Sequence, residues 1–198
     1  MREVGERALP LEVEALRPDG PGTALIVIDV QERLFAAMEA ARRPRFLKAV
    51  TNLVALARAV EWPIVLTEQY PQGLGPTVPE LRAELEGARA CQRLEKLCFS
   101  ACAADGFGQA LGEAEAAVLC GMEAHICVLE TALDLLGAGR RVFVPWDGVL
   151  SRERRDQEAA LDMLRAAGAI VTSSETVAFQ VMKRAGTPLF RQLAPRLR

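Results

Sequence analysis

Short apolar runs recur along the chain, separated by stretches in which apolar residues return every three or four positions. The first run, TALIVIDV from Thr23 to Val30, follows the turn residues Asp19, Gly20, Pro21 and Gly22 and reads as a buried strand. Behind it Leu34, Phe35 and Met38, then Phe46, Leu47, Val50, Leu53, Val54 and Leu56, step at helical spacing with an interruption at Pro44. The pattern predicts further strands from Pro63 to Thr67, Cys91 to Leu94, Ala116 to Gly121, Arg141 to Pro145 and Ala169 to Thr172. It predicts helices from Ala124 to Leu136, Glu153 to Ala166 and Glu175 to Lys183. Strands that are apolar on both faces and alternate with helices imply a parallel sheet covered on both sides, because each parallel crossover returns over a face. The fold class is therefore α/β: a three-layer α/β/α sandwich with a six-stranded parallel sheet, Rossmann-like.

The 198 residues suit one hydrophobic core. We read residues 1–22, where acids, bases and apolar residues alternate, as an N-terminal arm, and residues 23–198 as one domain. No apolar run approaches the roughly 18 residues needed to span a bilayer, and the first residues lack the apolar centre of a signal peptide. A formal charge of -2 leaves no net basic field for nucleic acid or anionic lipid, so the expected partner is a small-molecule substrate or another protein, with no nucleic acid and no membrane. The five cysteines are odd in number and form no CxxC pair, which reads as reduced thiols in a cytoplasmic protein. One histidine, His125, is too few for the usual transition-metal site, so no metal and no cofactor are expected.

Ligands of open parallel sheets bind beyond the carboxyl ends of the strands, which directs attention to the polar residues there. Asp29, the penultimate residue of the first apolar run, is either a helix cap or ion-pair partner, or a general base. Lys96, after CQRLE, is either a solvated surface cation or a pocket ammonium that steadies a neighbouring anion. Cys127 lies in AAVLCGMEAHICVLETALDLL, read as strand, tight turn at Gly121 and helix; it is either an inert core thiol or a nucleophile whose pKa the helix N-terminus lowers. His125, two residues away, faces elsewhere and reads as a packing residue. EQYPQGLGPTVPE is long and rich in Pro and Gly, as a loop beside a pocket is, and Phe35, Gln69, Tyr70 and Leu74 are expected to line that pocket. SRERRDQE reads as a solvated helix start with Ser151 as its N-cap.

The segments ALIVIDVQ, LEKLCFSA and LCGMEAHICVLETALDLL, in that order, closely resemble the signature segments of the isochorismatase-like cysteine hydrolases. The loop TEQYPQGLGPTVPEL resembles that of the isochorismatase domain-containing subgroup. The resemblance implies the isochorismatase-like hydrolase fold and a catalytic triad of Asp29, Lys96 and Cys127. It also implies a cis peptide joining Met122 to Glu123, an oxyanion hole from the N–H groups of Glu123 and Cys127, and assembly into a homo-oligomer. The implied activity is hydrolysis of a small amide or related C–N bond through a covalent acyl-enzyme. Two alternatives stand beside it: a catalytically weak oligomeric binding or scaffold protein of the same fold, and an isochorismatase-type vinyl-ether hydrolase. The Asp-x-His metal pattern of nicotinamidase-like members is not in this sequence.

Overall fold

The structure is a computed structural model that describes residues 13–18, 22–88 and 90–197. Its strands are β1 (Thr23–Ile28), β2 (Ile64–Gln69), β3 (Cys91–Lys96), β4 (Ala116–Met122), β5 (Arg141–Pro145), β6 (Val149–Leu150) and β7 (Ile170–Thr172). They lie in the order β3-β2-β1-β4-β5-β7, every pair parallel, with β6 against the end of β4. The six expected strands are all present, and the seventh is only two residues long, too short to leave a pattern in the sequence.

The described α-helices are α1 (Glu32–Ala36), α2 (Arg43–Ala59), α3 (Pro71–Leu74), α4 (Pro79–Leu85), α5 (Phe107–Leu111), α6 (Leu129–Gly137), α7 (Arg154–Ala166), α8 (Ser174–Met182) and α9 (Pro188–Leu193). Alternate residues of β1 feed two cores. Leu25 and Val27 pack with Phe46, Val50 and Leu53 of α2, Leu81 of α4, Val177 of α8 and Leu193 of α9. Ile26 and Ile28 pack with Phe107 and Leu111 of α5, Leu135 of α6 and Leu164 of α7. These four strand side chains are fully buried, and each such burial stabilises the fold by roughly 1.5–3 kcal/mol.

Four local readings are corrected. Pro44 does not interrupt a helix but occupies the first turn of α2, where its missing N–H is not needed. Gly121 is not a turn: β4 runs through it to Met122, and at φ 130° a Cβ there would lie 2.0 Å from the Ile28 carbonyl oxygen. Glycine is required because β1 and β4 approach too closely for any side chain. The helix expected from Ala124 begins as a π-helical turn over Ala124–Val128 before α6. Ser151 is not an N-cap: Glu153 precedes α7, while Ser151 is buried with its Oγ 2.9 Å from His125 Nδ1. Of the expected arm, residues 13–16 form a 3-10 turn and the Arg17 carbonyl accepts from Arg141 Nη1 at 3.1 Å. Residues 1–12 and the turn residues Asp19, Gly20 and Pro21 lie outside the described residues.

Candidate active site

The chain runs outward from β1 to β2 and β3, then returns to β4 on the other side of β1, so the crossover direction reverses at the carboxyl ends of β1 and β4. Asp29 leaves β1 there. It is one residue past the strand rather than within it, in a left-handed conformation at φ 53°, which Asp tolerates better than most residues. Its N–H donates to the Thr67 carbonyl at 3.1 Å, and its Oδ1 accepts from Thr67 Oγ1 at 2.6 Å. Its Oδ2 is 2.7 Å from Nζ of Lys96, the last residue of β3. The ammonium also donates to Gln69 Oε1 at 2.6 Å and to the carbonyls of Cys98 and Phe99 at 3.2 and 2.9 Å. Asp29 is fully buried and Lys96 is 5% exposed, so each charge depends on the other; deleting one partner of such a pair costs about 3–5 kcal/mol.

Cys127 brings the sulfur from the other side. The π-helical turn follows β4 directly, Thr131 Oγ1 donates to the Cys127 carbonyl at 2.6 Å, and the Ala101 N–H donates to that same hydroxyl at 2.8 Å. Cys127 retains 6% exposure. Its thiol feels both partners: burial pushes its pKa up to about 12, the Asp29 charge and hydrogen bond act in the same direction, and Lys96 opposes them in part. The lowering expected from a helix N-terminus is thereby corrected, because burial removes the water that would stabilise a thiolate and Asp29 adds to the same direction. The three candidates thus meet in one buried cluster. His125 lies outside it, between Ser151 Oγ and Asp156 Oδ2, the latter 3.7 Å from Nε2.

The Met122–Glu123 peptide is cis. The Glu123 carbonyl accepts from the Ile126 and Val128 N–H groups, and its carboxylate accepts from Arg152 Nε at 2.9 Å and Arg152 N at 3.2 Å. Of the expected lining residues, Gln69 joins the cluster through Lys96. Tyr70 is beside it, with its N–H donating to the Lys96 carbonyl at 3.0 Å and its side chain half exposed. Leu74 is half buried on α3. Phe35 is turned towards the α2 core, its ring 6.3 Å from that of Phe46.

Thr67 and Gln31 were not singled out in the sequence. Thr67 carries the same signal as Asp29, a polar residue ending an apolar strand. Gln31 is buried and holds the loop after β2: its Nε2 donates to the carbonyls of Gln69 and Gly75 at 3.0 and 2.7 Å, and its Oε1 accepts from the Gln69 N–H at 2.7 Å. Buried Glu68 holds the far side of that loop, its Oε1 accepting from Thr77 N at 2.7 Å and Thr77 Oγ1 at 2.6 Å. Tyr70, Leu97 and Phe99 are exposed apolar residues next to the cluster. A cavity of about 520 Å³ lies at the opposite end of the sheet, by Trp62 and Ile64, away from this chemistry. Among the described residues no group of three or more His, Cys, Asp or Glu could hold a metal ion, and no helix is long and apolar enough to cross a membrane.

Comparison with known proteins agrees with this arrangement at the level of the whole chain. Isochorismatase domain-containing protein 2 of Macaca fascicularis is 38% identical over 177 residues, covering 87% of this chain and 82% of the relative. A solved structure described as the MAR1 ribonuclease of Caenorhabditis elegans superposes with a TM-score of 0.85 at 34% identity, covering 91% of this chain and 92% of that one. Two more distant structures share the fold. One is the YcaC gene product of Escherichia coli, described as an octameric hydrolase of unknown specificity, with a TM-score of 0.78, 23% identity and coverage of 90% and 91%. The other is N-carbamoylsarcosine amidase of Thermoplasma acidophilum, with a TM-score of 0.63, 23% identity and coverage of 77% and 96%. The model of the isochorismatase domain matches residues 23–176, a span that contains Asp29, Lys96 and Cys127, so the chain belongs to the isochorismatase-like hydrolase family.

Proposed function

We propose that this protein is a cysteine-dependent hydrolase of a small amide or related C–N bond, with Cys127 as nucleophile, Asp29 as proton carrier and Lys96 as the fixed positive charge. The observation that carries the reading is the 2.7 Å Lys96–Asp29 pair bearing on the Cys127 thiol. Because burial holds the resting sulfur protonated, the thiol proton passes to Asp29 as the sulfur attacks the substrate carbonyl, and no thiolate need exist beforehand. The Lys96 ammonium steadies the negative charge that develops, while the N–H groups of Glu123 and Cys127 receive the oxyanion. Loss of one such donor typically costs about 10² to 10³ in rate. The tetrahedral species collapses as the C–N bond breaks, and Asp29 returns its proton to the leaving nitrogen. Asp29 then takes a proton from water, the hydroxide attacks the thioester carbonyl, and the sulfur leaves as a thiol with that proton.

Four features support the reading: family membership, three chemistry-bearing groups at one switch point, a shared fold with an enzyme named as an amidase, and burial of all three groups. Gln69 and Tyr70, with Leu74 further out, would line the substrate's approach, while Phe35 supports α1 from the core. The working form is a homo-oligomer, the arrangement described for the YcaC product. The test is a screen of small amides, ureas and carbamates against wild type and Cys127→Ala, scored by product and by intact mass. We expect turnover and an acyl adduct on the wild type alone. Full activity of Cys127→Ala would remove the nucleophile, and a wild type that neither turns over nor acquires an adduct would favour the binding-protein alternative.

A further inference from the structure

β3 is an outermost strand of the sheet. Its bonds to β2 begin with Ile64 N to the Ala90 carbonyl and end with Tyr70 N to the Lys96 carbonyl, in the register Ile64↔Cys91 to Gln69↔Lys96. In a parallel ladder this alternation assigns the backbone groups of Gln92, Leu94 and Lys96 to β2 and turns those of Arg93 and Glu95 outward to the open edge. Arg93 and Glu95 are exposed, and their side chains share one face of the sheet. Arg93 makes a 3.5 Å contact with Glu68; Glu95 has no hydrogen bond or ion pair among the described residues.

Sheet edges usually block pairing with charges, and a row of one sign would do so here. This row has both signs. A two-fold axis through Arg93 would set Arg93 against Arg93 of a second copy, and one through Glu95 would set Glu95 against Glu95. An axis through Leu94 sets Arg93 opposite Glu95 twice, with Leu94 facing Leu94. That register also makes Arg93 and Glu95 the closely bonded pairs, each exchanging both N–H···O bonds, and opposite charges facing across strands are favourable. Beyond it, Leu97, 76% exposed, comes to the position opposite the second copy's Cys91, whose side chain packs at the edge of the α2 core. We propose that two copies of this chain join antiparallel along β3, centred on Leu94, extending the sheet across the dimer and covering the apolar residues beside Lys96. The proposal rests on the oligomeric part of the reading above and not on turnover.

Sedimentation across a dilution series tests it. Glu95→Arg sets two positive charges against each other at both ends of the pairing and is expected to sediment at half the wild-type mass; Arg93→Glu sets two negative charges against each other in the same way. An equimolar mixture of the two variants restores opposite charges at both positions and is expected to recover the wild-type mass as a heterodimer. Should Arg93→Glu fail to fold beside Glu68, amide hydrogen exchange decides: in the wild type the Arg93 and Glu95 N–H groups are expected to be protected in the assembly, and the Arg93 N–H to lose that protection in Glu95→Arg. A monomeric wild type would overturn both the interface and the oligomer. An assembled wild type whose mass and exchange are unchanged in Glu95→Arg would keep the oligomer and overturn this interface.

Discussion

Lys96 has four acceptors around an ammonium with three N–H bonds, so the side chain has no freedom to follow a substrate. Under the proposed mechanism it would act as a stationary charge, leaving proton transfer to Asp29 and Cys127. The Cys127 thiol, with its pKa pushed up to about 12, is about 10⁻⁵ thiolate at neutral pH. Alkylation with iodoacetamide is therefore expected to mark exposed Cys98 first, and labelling of Cys127 to rise about tenfold per pH unit, read by peptide mass. Labelling of Cys127 ahead of Cys98 at neutral pH would mean that the thiolate is formed before substrate arrives. Asp29 stood out in the sequence as a carboxylate at the end of an apolar strand and Cys127 as a thiol at the start of a helix after one, while Lys96 joined them through the family resemblance. The direction of the sulfur's shift was not, since it is set by how much water the turn excludes, and only packing across β1, β3 and β4 determines that.

At the scale of elements, the end of β4 is positioned by a residue with no side chain. The Ile28 carbonyl occupies the space a Cβ at Gly121 would need, and that close approach sets the Cys127 turn beside the Asp29 corner. Gly121→Ala is expected to cost at least about 2 kcal/mol in urea unfolding, because a backbone carbonyl cannot yield as a flexible side chain can. Wild-type stability in that variant would show that the two strands can separate. In the sequence Gly121 reads as a turn, since a glycine after an apolar run signals one. Nothing local distinguishes it from a glycine that admits a neighbouring strand, just as nothing local marks Ser151 as the partner of His125 rather than a cap.

Across the whole molecule, burial raises the pKa of Cys91, Cys102, Cys120 and Cys127 above the ordinary 9.0. All four are protonated in both folded and unfolded chains below that value, so the full stability is present there. As pH rises past 9.0 the unfolded chain loses its thiol protons first, and for Cys127 the loss continues towards the folded value of about 12. Unfolding free energy is therefore expected to fall progressively with alkalinity in denaturant titrations. A flat profile through that window would mean that the thiols are better hydrated than their burial implies. The layers and six of the seven strands followed from periodicity alone. The order β3-β2-β1-β4-β5-β7 did not, because it depends on which edge each crossover chooses, and that choice leaves no local pattern.

The loop from Tyr70 to Thr77 is fastened at one end by Gln31 and at the other by Glu68, through main-chain groups and one hydroxyl. A ligand entering here meets a rim already set before it arrives. Under the proposed function, discrimination between substrates would reside in the side chains borne on that rim, such as Leu74, and swapping them would redirect the choice of substrate while leaving Asp29, Lys96 and Cys127 in place.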